Sequence, residues 1–137
     1  MITLQHAVRV DAPQSQVYRA FTSLDDLAGW HLGQIDGEIA PGQVFRLTAN
    51  NGLRFGWRTD ALDPNRRIRQ TCVEGPDNAI GRTLTISFSE ATDGRTSVTL
   101  QDAGWREDDA HLALCNTYWG AALIRARTFL EGAEVKA

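Results

Sequence analysis

Cysteine is scarce in this chain: only Cys72 and Cys115 occur among its 137 residues. They are far apart and form no CxxC pair, and neither they nor the three histidines show the spacing of a metal-ligand set. Two isolated cysteines also make a poor disulfide framework. We therefore expect no disulfide, no bound metal and no cofactor.

Long apolar runs and an excess of basic residues are missing as well. No stretch approaches the roughly 18 apolar residues that suggest a transmembrane helix, and residues 1–6 lack the basic and apolar segments of a signal peptide. Lys and Arg together number 14 against 17 Asp and Glu, a formal net charge of −3, with no basic stripe to bind phosphates. These absences predict a cytoplasmic protein that neither spans a membrane nor binds nucleic acid.

What the chain does have is the ordinary composition of a globular domain. Hydrophobic residues make up 42% of it and charged residues 23%, and its length suffices for a hydrophobic core without metals or disulfides. Residues 1–137 contain no internal repeat, low-complexity segment or linker. They are expected to form a single domain.

The first thirty residues predict one strand and two short helices. Residues 2–10 alternate apolar and polar side chains, the pattern of a half-buried strand. Pro13 suits a helix start, and the apolar residues of 17–27 give the helical segment a buried face, with a break near Thr22-Ser23. Gly29 is predicted to end the second helix.

Residues 35–103 consist almost entirely of strands and turns. The predicted strands are 35–40, 43–49, 53–62, 68–73, 83–89 and 96–103. The predicted turns are Pro41-Gly42, Asn51-Gly52, Asp63-Pro64-Asn65 and Asp93-Gly94, and residues 74–78 form a loop. Sequential strands joined by short turns form an antiparallel meander, and the first strand can pair at its open edge.

The last third of the chain predicts one long amphipathic helix. Three acids at 107–109 are expected at its N-terminus, where side-chain caps and negative charge are favoured. Apolar residues then recur at steps of three and four: Leu112, Cys115, Trp119, Ala122, Leu123, Ala126, Phe129 and Leu130. Gly132 is predicted to end the helix, giving it about 23 residues and a length of roughly 34 Å. We expect Trp119 to point into the sheet and to be largely buried.

These elements predict an α+β fold with a curved antiparallel sheet of about six to seven strands. The long C-terminal helix packs across the apolar face of the sheet, with two short helices beside it. No other predicted element is large enough to cover that face. Where a curved sheet bends away from a long helix, space remains in which a ligand could bind.

Several short segments carry a family resemblance, and together they span almost the whole chain. They are Ala12-Pro13, residues 17–22 (VYRAFT), 27–30 (LAGW), 62–68 (LDPNRRI), 81–86 (GRTLTI), 93–96 (DGRT), Gly104-Trp105, Cys115-Asn116 and Trp119-Gly120. The chain resembles the START-like, or SRPBCC, superfamily, and its last three segments are similar to the branch named for the activator of heat-shock protein 90 ATPase. The resemblance implies a helix-grip fold, the architecture that the periodicity also predicts. It implies no single function, because the superfamily includes lipid-transfer domains, polyketide cyclases and uncharacterised bacterial proteins.

The two-residue alternation of the strands and the 3.6-residue repeat of the helix predict which side chains face the interior between sheet and helix. The ligand-binding candidates are His6, Phe45, Phe55, Trp57, Gln70, Cys72, Ile86, Asp102, Cys115 and Trp119. Large aromatic walls with a few polar groups are typical of an apolar ligand pocket, and equally of a filled core. The polar candidates His6, Gln70 and Asp102 stand on otherwise apolar faces, so each needs a hydrogen-bond partner.

The sequence leaves three classes of function open. The first is a protein that binds a small apolar or aromatic ligand. The second is an enzyme of the polyketide-cyclase or hydratase type, which polarises a bound carbonyl with His6, Gln70 or Asp102. The third is a protein-interaction module similar to the co-chaperone that names the branch. No nucleophile lies beside a base in the sequence, so we rank ligand binding first and assign no catalytic residue; homodimer formation is left open.

Overall fold

The computed structural model describes residues 1–48, 52–76 and 78–132. In chain order the elements are β1 (Ile2–Val10), α1 (Gln14–Ala20), α2 (Leu24–Trp30), β2 (Gln34–Gly37), β3 (Val44–Thr48), β4 (Arg54–Asp63), β5 (Arg67–Glu74), β6 (Thr83–Glu90), β7 (Thr96–Trp105) and α3 (Leu112–Leu130). Each predicted element is present, within a few residues of its predicted bounds. The turn predicted at Asn51-Gly52 falls partly outside the described residues.

The strands of the described chain form one seven-stranded antiparallel sheet in the order β1-β7-β6-β5-β4-β3-β2. Strands β2 to β7 make a meander, and β1 pairs with β7 at the edge that the meander leaves open. The predicted α+β fold, with two short helices and a long C-terminal helix, is therefore confirmed. Residues of alternate parity fill the face toward α3, from Val8 and Val10 on β1 to Val98 and Leu100 on β7.

A β-bulge at the end of β7 decides which side chains meet above the sheet. Ile2 pairs with Trp105 but Thr3 pairs with Ala103, so Gly104 is the extra residue. Its φ of +98° is easily adopted only by glycine. Because side chains alternate along a strand, the inserted residue returns Trp105 to the same buried face as Asp102.

The two short helices are separated at residues 21–23, as predicted, but Gly29 does not end the second one. Helix α2 continues to Trp30, whose indole Nε1 donates to the carbonyl oxygen of Ala20 at 2.9 Å. Gly29 instead makes room for another helix. A Cβ on this residue would lie 2.3 Å from Cε1 of Phe129 on α3, so the absence of a side chain allows the close approach.

Helix α3 is shorter than predicted, with 19 residues, and the acids 107–109 do not lie in its first turn. The helix begins after His111, which makes no side-chain cap. Asp109 closes the preceding turn by accepting the backbone N–H of His111 at 2.8 Å, and it also accepts from Asn78 Nδ2 at 3.0 Å. The carboxylate thus ties two loops together. At the other end Gly132 has a φ of +81°, the left-handed conformation predicted for it.

The apolar face of α3 is buried along only part of its length. Ala122, Leu123 and Ala126 are fully buried in the core. Cys115 and Trp119 are only half-buried, so Trp119 is more exposed than predicted. The difference arises because the N-terminal half of α3 lines a cavity instead of packing directly on the sheet.

Candidate ligand cavity between the sheet and the long helix

A cavity of about 320 Å³ lies between the N-terminal half of α3 and the β3–β4 side of the sheet. Ligand pockets in proteins usually have volumes of about 300 to 1,000 Å³. The lining residues are His31, Leu47, Leu53, Phe55, Trp57, Pro76, Asn78, Arg82, Asp102, His111, Leu114, Cys115, Tyr118 and Trp119. The cavity is therefore large enough for a small molecule.

Most of the cavity wall is apolar. The sheet contributes Phe55 and Trp57, which are two residues apart on β4 and so share one face. The helix contributes Trp119 and, one turn before it, Cys115. Leu114, which is 70% exposed, lies at the side open to solvent.

Asp102 is the buried carboxyl group of this cavity, with 3% of its surface exposed. Its Oδ2 accepts a hydrogen bond from the indole Nε1 of Trp119 at 3.0 Å. Its Oδ1 has no hydrogen-bond partner among the described residues. Burial raises the pKa of Asp102, although the neighbouring indoles of Trp105 and Trp119 and the charge of Arg82 favour the carboxylate.

Arg82 is the buried cation of the same cavity, with 6% of its surface exposed. It precedes β6 and continues the inward alternation of Leu84 and Ile86. Its Cζ lies 3.5 Å from the ring centroid of Trp105, a cation–π contact that covers one face of the guanidinium. The Nε and Nη1 atoms are buried and, within the described chain, make no hydrogen bond.

Burial also shifts the pKa of His31 and Cys115 on the wall. Burial, followed by the charge of Arg125, lowers the pKa of His31, which favours its neutral form. Burial raises the pKa of Cys115, so its sulfur stays a thiol. The pKa of Cys72, behind the wall, is raised by burial as well, and both cysteines are free.

The structure brings five of the ten predicted site residues to the cavity: Phe55, Trp57, Asp102, Cys115 and Trp119. The other five, His6, Phe45, Gln70, Cys72 and Ile86, do not line it. His6 lies under α3, where its Nε2 is 2.8 Å from Oδ1 of Asn116. Gln70 is buried in the sheet and donates to Thr59 at 3.4 Å. Both polar groups thus find protein partners away from the cavity.

Sequence reasoning missed nine lining residues: His31, Leu47, Leu53, Pro76, Asn78, Arg82, His111, Leu114 and Tyr118. Most of them come from loops and from the first turns of α3, which periodicity does not place in space. Arg82 is different, because it has the same parity as Leu84, Ile86 and Phe88. Its alternation with three buried apolar residues could have predicted that Arg82 faces inward. It is not among the predicted site residues because it lies one position before the predicted strand.

Two further features of the described residues bear on function. Nowhere in residues 1–48, 52–76 and 78–132 do three or more His, Cys, Asp or Glu side chains gather as a metal site would require. None of the helices in these ranges is both long and apolar enough to cross a membrane.

Comparison with known proteins places this architecture in a family. The profile of the family described as "Activator of Hsp90 ATPase homolog 1-like protein" matches residues 11–130. The chain belongs to this family. The resemblance to the SRPBCC superfamily, and to the branch named for the heat-shock protein 90 activator, is thereby confirmed. No curated protein matches the chain by sequence.

Solved structures of other proteins have the same fold. The Aha1 dimer from Colwellia psychrerythraea is 23% identical with a TM-score of 0.87, and the match covers 96% of this chain and 98% of that one. Protein MLL2253 from Mesorhizobium loti is 19% identical with a TM-score of 0.82, covering 95% and 97%. CalU16 from Micromonospora echinospora is 21% identical with a TM-score of 0.80, covering 98% and 76%. At these identities the likeness concerns the fold.

Proposed function

We propose that this member of the family binds a small apolar or aromatic molecule in the cavity between the sheet and α3. The observation that carries the proposal is the composition of the cavity wall. Aromatic side chains from β4 and α3 face each other, while Arg82 and Asp102 are buried among them. An apolar chamber with a few fixed polar groups is the usual form of a small-molecule site.

The aromatic walls would supply most of the binding free energy and the polar groups the orientation. Burial of apolar surface contributes about 25 cal/mol per Å² removed from water. Buried polar groups discriminate between ligands more sharply than apolar shape does, because an unmatched group loses its hydrogen bonds. The indole of Trp119 serves both purposes, since its ring lines the cavity while its N–H holds Asp102.

A ligand panel with a cavity-filling variant tests this function. Flavonoids, fatty acids and polycyclic aromatics are titrated against the intrinsic tryptophan fluorescence of the wild type, Cys115→Phe and Ala121→Phe. Cys115 lines the cavity, whereas Ala121 is exposed on the same helix, so both variants add the same ring at different places. Saturable binding to the wild type and Ala121→Phe, weakened at least tenfold by Cys115→Phe, is expected. Binding that Cys115→Phe leaves unchanged, or no binding at all, contradicts the proposal.

The position of Asp102 in the cavity wall supports an enzymatic function as the second candidate. Of the three polar residues considered for carbonyl polarisation, only Asp102 lines the cavity, and its raised pKa suits a proton donor. An enzyme would convert a ligand identified by the panel, and Asp102→Asn would abolish the conversion while leaving binding intact. Unchanged ligand after prolonged incubation excludes this candidate for the compound tested.

The assembly of the chain is a separate proposal. A relative of the same fold is described as a dimer, which supports homodimer formation here. Sedimentation at several protein concentrations measures it, and a single species of 15.1 kDa at all of them would argue against it. The cytoplasmic location stays a prediction from the sequence.

A further inference from the structure

Arg82 carries more hydrogen-bonding capacity than the described protein uses. A guanidinium has five N–H donors in one plane and keeps its positive charge at every physiological pH. Here the group is almost completely buried, yet its Nε and Nη1 have no hydrogen-bond partner among the described residues. Such unsatisfied buried donors are rare in native proteins, and they point to a partner that is bound in function.

Among the described residues, the charge of Arg82 also has no direct counterion. None of the ion pairs of the described residues includes it. Asp102 and Asp109 lie within range of its electrostatic attraction, but neither accepts a hydrogen bond from it. Asp109 accepts from His111 N and Asn78 Nδ2, and Asp102 Oδ2 accepts from Trp119 Nε1, while Asp102 Oδ1 has no partner among the described residues. The nearby carboxylates therefore reduce the unpaired charge without occupying the donor edge.

The orientation of the guanidinium restricts what can bind to it. The ring of Trp105 covers one face, at 3.5 Å from Cζ to the ring centroid, so the remaining hydrogen bonds must form in the plane of the group. In-plane donor pairs fit the two oxygens of a carboxylate in a bidentate arrangement. The bulge at Gly104, whose φ of +98° is easily adopted only by glycine, places Trp105 on the buried face where its ring meets Arg82.

We infer that the ligand of this cavity is an apolar carboxylic acid, whose aromatic or aliphatic body lies between Trp57 and Trp119 and whose carboxylate binds the free edge of Arg82. The inference rests on the proposed function, because it names the chemical class of the ligand for the same site. Asp102 then sits beside the bound carboxylate, where its unpartnered Oδ1 can accept a hydrogen bond from a hydroxyl group of the ligand or, when protonated, donate one.

A matched pair of probes separates the charge from the apolar body. 2-Naphthoate is ionised at pH 7, and 2-naphthamide has nearly the same shape without the charge. Both are titrated by calorimetry against the wild type, Arg82→Met, Arg82→Lys and Arg58→Met, whose arginine is exposed and pairs with Asp60 outside the cavity. Thermal unfolding of each variant checks that the fold is retained; Met keeps the apolar stem of Arg82 against Trp105.

The wild type and Arg58→Met should bind naphthoate ten- to a hundredfold more tightly than naphthamide, the range of a charge-assisted hydrogen bond. Arg82→Met should remove this preference by weakening naphthoate alone, and Arg82→Lys should restore part of it. If the two probes bind the wild type equally, or the preference survives in Arg82→Met, the carboxylate inference is wrong while ligand binding stands. If neither probe binds, the binding function fails for small aromatic ligands and the inference fails with it.

A second variant gives an answer that does not depend on how well Arg82→Met folds. Asp102→Asn replaces the neighbouring titratable carboxyl group by a neutral amide and keeps an acceptor oxygen for the indole of Trp119. Naphthoate titrated between about pH 5 and pH 9 should bind Asp102→Asn several-fold more tightly than the wild type wherever Asp102 is ionised, while naphthamide should change little. No gain for naphthoate at any pH in this range, or equal gains for both probes, would contradict a carboxylate at this position.

Discussion

At the residue scale, Asp102 and Arg82 give the cavity its chemical character. Asp102 on β7 and Arg82, just before β6, both continue the alternation of buried core residues, where an apolar side chain would pack without loss of hydration. The protein satisfies each only in part: Trp119 donates to one oxygen of Asp102, and Trp105 stacks on Arg82. Partly satisfied polar groups in the wall of a cavity are better explained by a ligand than by the fold.

The buried carboxyl of Asp102 should make the folded protein less stable as the pH rises. Its pKa is raised chiefly by burial, so above about pH 4 the unfolded chain ionises first and folding takes up a proton. The free energy of unfolding of the wild type, relative to Asp102→Asn, should therefore fall as the pH rises through this range and level off once the folded carboxyl is ionised. Urea unfolding at a series of pH values measures the difference.

Asp93 provides a control of the opposite sign for this titration. Hydrogen bonds from the side chain and backbone of Arg95 lower its pKa. The wild type should therefore gain stability over Asp93→Asn as the pH rises, with most of the change below about pH 4. A wild-type advantage that grows with pH for Asp102 as well would show that the Asp102 carboxyl is stabilised in its charged form.

The hydrogen bond from Trp119 to Asp102 should couple the two residues energetically. Trp119→Phe keeps an aromatic ring but removes the N–H that lies 3.0 Å from Oδ2. Loss of the donor to this buried acceptor should cost about 1 to 3 kcal/mol. Denaturant unfolding at pH 7 of Trp119→Phe, Asp102→Asn and the double variant should show that the Trp119→Phe loss is smaller in the Asn background. If the stability losses of the two single variants add up in the double variant, the Trp119 indole contributes no hydrogen-bond energy to Asp102 and only lines the cavity.

At the scale of elements, the packing of α2 against α3 depends on a glycine that the sequence suggested as a helix end. Gly29→Ala should destabilise the protein by about 1 to 3 kcal/mol, because the new methyl group overlaps the ring of Phe129. Gly120→Ala on α3 is the matched control: its Cβ would contact His6 at an ordinary 3.6 Å, so helix propensity should leave stability equal or raise it by up to about 1 kcal/mol.

Chemical denaturation of the two glycine variants decides the point. Phe129→Leu removes the ring atoms that the new methyl group would overlap. In this background Gly29→Ala should therefore lower the free energy of unfolding much less than it does in the wild type. If Gly29→Ala proves as stable as Gly120→Ala, the helices do not approach as closely as described.

The elements themselves could be predicted because their patterns are local. Alternation along residues 2–10 and 83–89, and turn sequences such as Asp63-Pro64-Asn65, depend on near neighbours and were confirmed. The predictions that were wrong depend on contacts distant in sequence. Gly29 lies inside α2 because Phe129 packs against it. Asp109 accepts hydrogen bonds from Asn78 and from the backbone of His111 instead of capping α3.

The candidate site could be predicted only in part for the same reason. Parity identified the side chains of β4, β7 and α3 that face inward, and five of these line the cavity. Parity could not show how far along the sheet α3 stays in contact, so His6 and Gln70 were included although the structure places them outside. Trp105 needed knowledge of the bulge at Gly104, which shifts the alternation by one residue.

At the scale of the whole molecule, the fold packs one end of α3 tightly and leaves the other end over a chamber. Ala122, Leu123 and Ala126 are small or medium-sized residues that bring the C-terminal half of the helix onto the core. Toward the N-terminal half, Trp57 and Trp119 stand on opposing walls around about 320 Å³ of space. A binding site formed in this way needs no loop movement to exist, so it should be largely preformed.

The four tryptophans allow ligand binding between the sheet and α3 to be tested with one type of NMR spectrum. Their indole N–H signals, assigned with single Trp→Phe variants in nitrogen-15-labelled protein, are followed during titration with 2-naphthoate or another ligand from the panel. The signals of Trp57 and Trp119 should shift in a saturable manner, because both rings line the cavity. The signal of Trp30 should not move, since this indole is buried against the Ala20 carbonyl outside the cavity. A shift of Trp30 as large as that of Trp119, or no shift of any indole with any compound, would contradict ligand binding between the sheet and the long helix.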